Sequence, residues 1–246
     1  MRRYRNSVFG GLLVGMALSL VGAEAAGSDT AIKTWIEGRV ILGARMHHFE
    51  LQDRRRRIRG RLENTNIRGN FVGSVWGLDE IQHYTPRLYL IALPIPYVGA
   101  GLTYDQISAR TVDWGDEEKS FRASDGDLET WGPTFFIQAR WPNATRLTPF
   151  AEWGRTKYFA DFQEDPDWAA VAPGYRFEVD DTYGTMHALG CEYAITSNWS
   201  VHAYWRRLRG ASVAARAYFT PGPRVGRAGA FPIEYDMYAL GTAYHF

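Results

Sequence analysis

Polar and apolar side chains alternate with a period of two along most of the chain, the spacing that sends successive residues to opposite faces of a β-strand. Eight such segments stand out, at residues 34–47, 84–93, 97–112, 129–141, 148–160, 182–195, 199–209 and 234–246. Most are rich in aromatic and β-branched residues, which favours strands over helices. In the fourth, Trp131, Phe135, Ile137, Ala139 and Trp141 share one face, while Thr130, Gly132, Thr134, Gln138 and Arg140 share the other. The seventh sets Trp199, Val201, Ala203 and Trp205 against Ser200, His202, Tyr204 and Arg206. The sixth sets Leu189, Cys191, Tyr193 and Ile195 against Gly184, Ala188, Gly190 and Glu192, with His187 out of place on the apolar side. The second is apolar on both faces and fixes no register. The eighth reads back from Phe246 through Tyr244, Thr242, Leu240 and Tyr238, a mostly apolar face that ends on an aromatic carboxy-terminus.

The connections alternate in length. Short ones follow the second, fourth and sixth segments: Pro94-Ile95-Pro96, residues 142–147, and Thr196-Ser197-Asn198. The others, residues 48–83, 113–128, 161–181 and 210–233, are long and polar. A soluble sandwich has no reason to gather its short turns at one end, whereas a membrane β-barrel has short periplasmic turns and long outer loops. Eight strands with both termini at the short-turn end form a self-consistent all-β, antiparallel transmembrane barrel. The segment from Asn70 to Tyr84 has three readings within the first long loop: added strand length, a short helix over the barrel mouth, or more loop.

The amino terminus carries Arg2, Arg3 and Arg5, an apolar run from Val8 to Val21, and Ala23-Glu24-Ala25. That order is a secretory signal cut after Ala25, which leaves residues 26–246 as one barrel domain. Beyond it no apolar stretch is long enough for a membrane helix. The mean hydropathy of -0.32 does not argue against a barrel, because alternation averages to such a value. The 9 Trp and 14 Tyr suit the interfacial belts of a membrane protein. With residues 1–25 set aside, 25 basic residues face 26 acidic ones, so the charge balance gives no sign of a nucleic-acid partner. Cys191 is the lone cysteine and forms no internal disulfide; it reads as a small apolar side chain.

The segments PYVGAGLTY (Pro96 to Tyr104), PFAEWGRTKY (Pro149 to Tyr158) and ALGTAYHF (Ala239 to Phe246) resemble the small eight-stranded outer-membrane barrels of the OmpW, OmpX and OmpA class. The resemblance covers nearly the whole mature chain as architecture. It implies localisation in the outer membrane of a Gram-negative-type bacterium. It also implies that Tyr244 and Phe246 form the signal read by the barrel-assembly machinery. The first loop, of about 36 residues, departs from the pattern.

The alternation sends Glu37, Arg39, Arg45, Arg140, Glu152, Glu192, His202 and Arg206 into the lumen, where buried charges need partners. An eight-stranded barrel is just wide enough for side chains to fill or for one small ligand. A Glu/Arg plug is therefore the ordinary reading, and a narrow conduit for a small-molecule permeant the sharper one. Arg54, Arg55, Arg56, Arg57, Arg59 and Arg61 crowd the first loop and suit either loop-to-loop salt links or the phosphates of lipopolysaccharide. Acidic clusters in the second and third loops match no EF-hand spacing, and nothing calls for a cofactor or a metal. A non-enzymatic barrel acting as channel, surface-binding scaffold or structural component is the leading expectation. Two others compete with it: a lipid-modifying barrel enzyme using Ser200, His202 and Glu192, and a soluble periplasmic barrel for an apolar ligand.

Overall fold

A computed structural model of the chain describes residues 38–51, 75–80, 84–113, 126–164, 166, 175–219 and 225–246. Its twelve strands are β1 Val40–Leu51, β2 Val75–Glu80, β3 Tyr84–Ile95, β4 Val98–Asp113, β5 Gly126–Arg140, β6 Leu147–Glu164, β7 Tyr175–Val179, β8 Thr182–Ala194, β9 Trp199–Arg209, β10 Ser212–Phe219, β11 Val225–Pro232 and β12 Tyr235–His245. Eight of them, β1, β3, β4, β5, β6, β8, β9 and β12, pair antiparallel in that order, and β12 returns to β1. This is a closed eight-stranded barrel, so none of its eight strands is a free edge strand. Closure runs from Ile41↔His245 to Leu51↔Tyr235. Beyond the ladder, Phe246 N–H donates to the Val40 carbonyl at 3.1 Å and Gly38 N–H to that of Phe246.

Short turns gather at one end. The turn between β5 and β6 is built on Asn143, whose Oδ1 accepts the Thr145 N–H at 2.8 Å while its Nδ2 donates to the Leu147 carbonyl at 2.9 Å. Between β8 and β9, Asn198 ties the turn to the terminal strand by donating to the His245 carbonyl at 2.9 Å.

The other end is more ordered than the sequence suggests. Residues 161–181 and 210–233, expected as loops, contain β7, β10 and β11, which form a second, three-stranded sheet. Its members continue β8, β9 and β12 past short breaks at residues 180–181, 210–211 and 233–234. At one break Gly210 adopts φ +73, a conformation open to glycine, and Ile233 N–H still bonds the Ala211 carbonyl at 3.1 Å. Val213, Ala215 and Phe231 of this extension are buried, and Phe231 stacks on Phe162 of β6 with ring centroids 6.1 Å apart. Of the three readings for residues 70–84, strand length is the one observed for 75–80: β2 prolongs the line of β3 along the same edge of β4.

The junction between β2 and β3 is irregular. The ladder of β3 on β4 stops at Tyr89↔Thr103 and that of β2 resumes at Glu80↔Ala109. Side chains bridge part of the interval: Thr103 Oγ1 donates to the Leu88 carbonyl and Arg87 Nη2 to the Gln106 carbonyl, both at 2.8 Å.

The outer wall is apolar. Phe135, Ile137, Trp153, Leu189, Tyr238 and Leu240 stand outward and exposed, Leu240 at 70%. The strand faces are as the alternation predicts, and His187 is exposed on the outer side among them.

Candidate functional site

Inward positions are set by the period-two register, and they divide the lumen into three levels. The level nearest the short turns is polar and neutral. Arg45 of β1 pairs with Glu152 of β6 through Nη2 at 2.9 Å and Nη1 at 3.4 Å, and its Nε donates to His202 Nε2 of β9 at 3.1 Å. Its guanidinium lies between the rings of Tyr89 and Tyr204, 3.9 and 4.3 Å from their centroids, a doubled cation–π contact. Gln138 donates to Glu152 at 2.9 Å and accepts from Arg140 at 3.1 Å, and Arg140 continues to Glu192 at 2.9 Å. Two arginines thus meet two glutamates across the lumen. The charges of this network are all paired, while His202 Nδ1 is buried without a hydrogen-bond partner.

The middle level centres on Asp105 of β4, which binds both Arg87 of β3 and Arg206 of β9. Arg206 reaches it with Nη1 at 3.0 Å as well. Thr134 Oγ1 donates to the same carboxylate at 2.5 Å and lies 2.6 Å from Thr156 Oγ1. His47 Nε2 and Tyr204 Oη are 2.5 Å apart at this level. Above it, the hydroxyls of Tyr158 and Tyr235 meet at 3.2 Å, and the wall among the described residues is mostly apolar: Leu78, Ile107, Leu128, Met186, Leu208 and Phe231 are all fully buried, with Thr111 and Thr130 among them. Polar groups close the lumen in its lower half and packed apolar groups in its upper half.

Glycines make room for the plug. Gly43 lies directly across from Tyr89 in the ladder, and a Cβ there would collide with the tyrosine ring that covers Arg45. Gly43→Ala is expected to cost about 1–3 kcal/mol by overpacking, read as a lower urea midpoint of the refolded barrel.

The residues expected in the lumen fall into three groups. Arg45, Arg140, Glu152, Glu192, His202 and Arg206 are buried on the inward face as described. Arg39 is a correction: the first strand starts at Val40, and Arg39 lies exposed in the turn before it. Glu37, Arg54, Arg55, Arg56, Arg57, Arg59 and Arg61 lie outside the described residues. Arg87 and Asp105, the core of the middle level, were missed. Arg87 stands in a segment apolar on both faces, where one charge sets no register; Asp105 shares a face with Thr103 and Ile107.

The trio proposed for catalysis does not assemble. His202 Nε2 is taken by Arg45, and Ser200 Oγ faces His245 Nε2 at 3.1 Å instead. That same nitrogen lies 3.0 Å from Glu192, so one atom serves both neighbours, and among the described residues no carboxylate bonds the opposite side of the ring, as a relay would need. At the terminus, Tyr244 lies edge-on to both Trp199 and Phe246, with centroids 5.2 and 4.9 Å apart. Charged groups near the long-loop end pair with one another: Arg110 with Asp127 at 2.9 Å, Arg207 with Asp236 at 2.6 Å, and Arg216 with Asp180.

No family model matches the chain, and no curated protein matches it in sequence. Among solved structures it is similar to the outer membrane protein OprG from Pseudomonas aeruginosa, with a TM-score of 0.60 at 13% identity over 85% of this chain and 96% of that one. It is also similar to the outer membrane protein AlkL in lipid bilayers, with a TM-score of 0.56 at 15% identity over 91% and 94% of the two chains. At such identities the likeness bears on the fold, and the closed ring of eight strands agrees with it. The chain has the fold of the small eight-stranded outer-membrane β-barrels.

Proposed function

We propose that the protein is an integral outer-membrane barrel without enzymatic activity. It is exported through a cleaved amino-terminal signal, and its membrane-spanning lumen is closed to hydrated solutes. Its work is then done as a scaffold, at the outer extension and along the lipid-facing wall. The observation that carries this reading is the lumen filled by two polar levels and an apolar one, with Arg87, Asp105, Arg206 and Glu152 all buried. An exposed apolar wall around a closed ring of strands supports insertion in a bilayer. Tyr244 and Phe246 at the closing strand suit recognition by the barrel-assembly machinery. The basic first loop, with Arg54 to Arg61, suits contact with lipopolysaccharide phosphates.

Planar-bilayer recording tests the closed lumen. The native barrel is expected to show no unitary conductance in molar KCl. Steady conductance of the native protein overturns the reading.

A second reading, passage of a small apolar molecule, is favoured by the interrupted ladder between β3 and β4 beside the apolar upper level. Such a molecule would enter from outside and leave sideways into the bilayer above the polar plug. Uptake of an apolar fluorescent dye into vesicles, faster with the barrel than without it, is the expected sign. Equal uptake removes this reading and leaves the scaffold.

A further inference from the structure

Among the described residues, the middle level of the lumen sets two arginines against one carboxylate. Among the described residues, Asp105 is the one carboxylate that either Arg87 or Arg206 reaches, so two guanidinium groups share a single negative charge. Both side chains are 1% exposed. The lower level, in contrast, sets Arg45 and Arg140 against Glu152 and Glu192 and is neutral. A buried surplus of one positive charge is disfavoured unless a counter-charge joins it.

Hydrogen bonding gives a second, independent observation. Arg87 Nε, Arg206 Nε, His47 Nδ1 and Thr85 Oγ1 are buried and meet no partner among the protein's own groups. They belong to one level of the wall. His47 faces Thr85 directly across the β1–β3 ladder, and Arg87 follows on the same face of β3. Tyr204, which bonds His47, is two residues from Arg206 on the same face of β9. Three of the four are N–H or O–H donors whatever their surroundings, and His47 Nδ1 becomes a fourth when the Tyr204 hydroxyl donates to Nε2. An acidic pair would leave acceptors over; this site leaves donors.

We infer that the middle level is a binding site for a small monovalent anion of halide size. Arg87, Arg206 and Thr85 supply the donors, and Asp105 fixes the two arginines. The size follows from the packing: Tyr158 and Tyr235 close the level from above, and Tyr204 and Arg45 from below, all fully or nearly buried. A water molecule would satisfy the donors but leave the charge, and a larger oxyanion would have to displace the rings. Bound there, the anion neutralises the plug and strengthens the seal. The inference rests on the lumen geometry and stands apart from the role proposed for the outer surface.

The full barrel, refolded in detergent or vesicles, is titrated with bromide at constant ionic strength, with the large organic anion gluconate as replacement. A ligand bound only by the folded state raises the unfolding midpoint, so the midpoint is expected to rise with bromide and saturate. Anomalous diffraction from crystals grown in bromide is expected to place a peak among Arg87, Arg206 and Thr85. Thr85→Val keeps the charge but removes one donor, and is expected to weaken the bromide dependence about tenfold, the effect of one hydrogen bond to a charged group. Arg87→Met makes the level neutral and is expected to abolish both the dependence and the peak. A midpoint indifferent to bromide, or peaks only at the exposed surface (an adventitious ion only), overturns the inference. So does a bromide dependence that survives unchanged in Thr85→Val.

Discussion

Replacing Asp105 with Asn is expected to destabilise the barrel by about 3–5 kcal/mol, the usual cost of removing one member of a buried ion pair. Asn has nearly the shape of Asp and can still accept from Thr134, so the effect isolates charge from packing. What remains is Arg87 and Arg206, both nearly inaccessible to water, facing each other with no carboxylate between them. Neither can shed its proton, because a guanidinium stays charged in a protein. The repulsion is relieved by admitting water or an anion, or by parting the strands. Arg206→Met removes the second charge instead and leaves a matched Arg87–Asp105 pair, so its loss should be smaller. In Asp105→Asn combined with Arg206→Met, the cost of Asp105→Asn should shrink, because one repelling arginine is gone. A double-mutant cycle on urea midpoints of the refolded barrel measures this coupling. A change under about 1 kcal/mol for Asp105→Asn, a magnitude usual for solvated pairs, would show that the level is open to water.

The same residues show what the chain discloses about itself. Strand number and order were legible because each membrane-length strand repeats the period of two over enough residues to outvote local exceptions. The lumen members on the strongly alternating strands, Arg140, Glu152, Glu192 and His202, followed directly. Arg87 did not, because β3 is apolar on both faces and a single charge sets no register; Asp105 of β4 did not, because it shares its face with the apolar Ile107. Only the pairing of β3 with β1, Arg45↔Arg87 and Gly43↔Tyr89, decides which side is inside. Arg39 was misplaced for a related reason: the pattern extended strand one through a turn that begins at Gly38, where φ is +69. The outer sheet was read as loop because β10 and β11, SVAARAYF and VGRAGAFP, are rich in Ala, Gly and Arg, which carry weak strand signals. Those strands are held by pairing with each other and by Val213 and Phe231 on the barrel top, a tertiary cause that local composition does not display.

Leu240→Arg decides between the bilayer and water as the solvent of the outer wall. Leu240 lies near the middle of β12, 70% exposed, beside Met46 on β1 and Ala203 on β9 in the ladder. In a soluble barrel a side chain so exposed has little to lose, and substitution should change stability by no more than about 0.5 kcal/mol. In a membrane barrel the same position faces hydrocarbon, and arginine near the midplane costs roughly 2–4 kcal/mol. The neighbouring Ala239 is buried on the other face, so arginine there is destabilising in either solvent and decides nothing. Ser197→Arg, in the exposed turn between β8 and β9, serves as the control, since it adds the same charge outside the apolar band. Reversible urea unfolding in phosphocholine vesicles is expected to show a loss of roughly 2–4 kcal/mol for Leu240→Arg and almost none for Ser197→Arg. Equal, small changes in the two variants would mean that water bathes the apolar wall, and both the membrane localisation and the closed-lumen scaffold built on it would fall together.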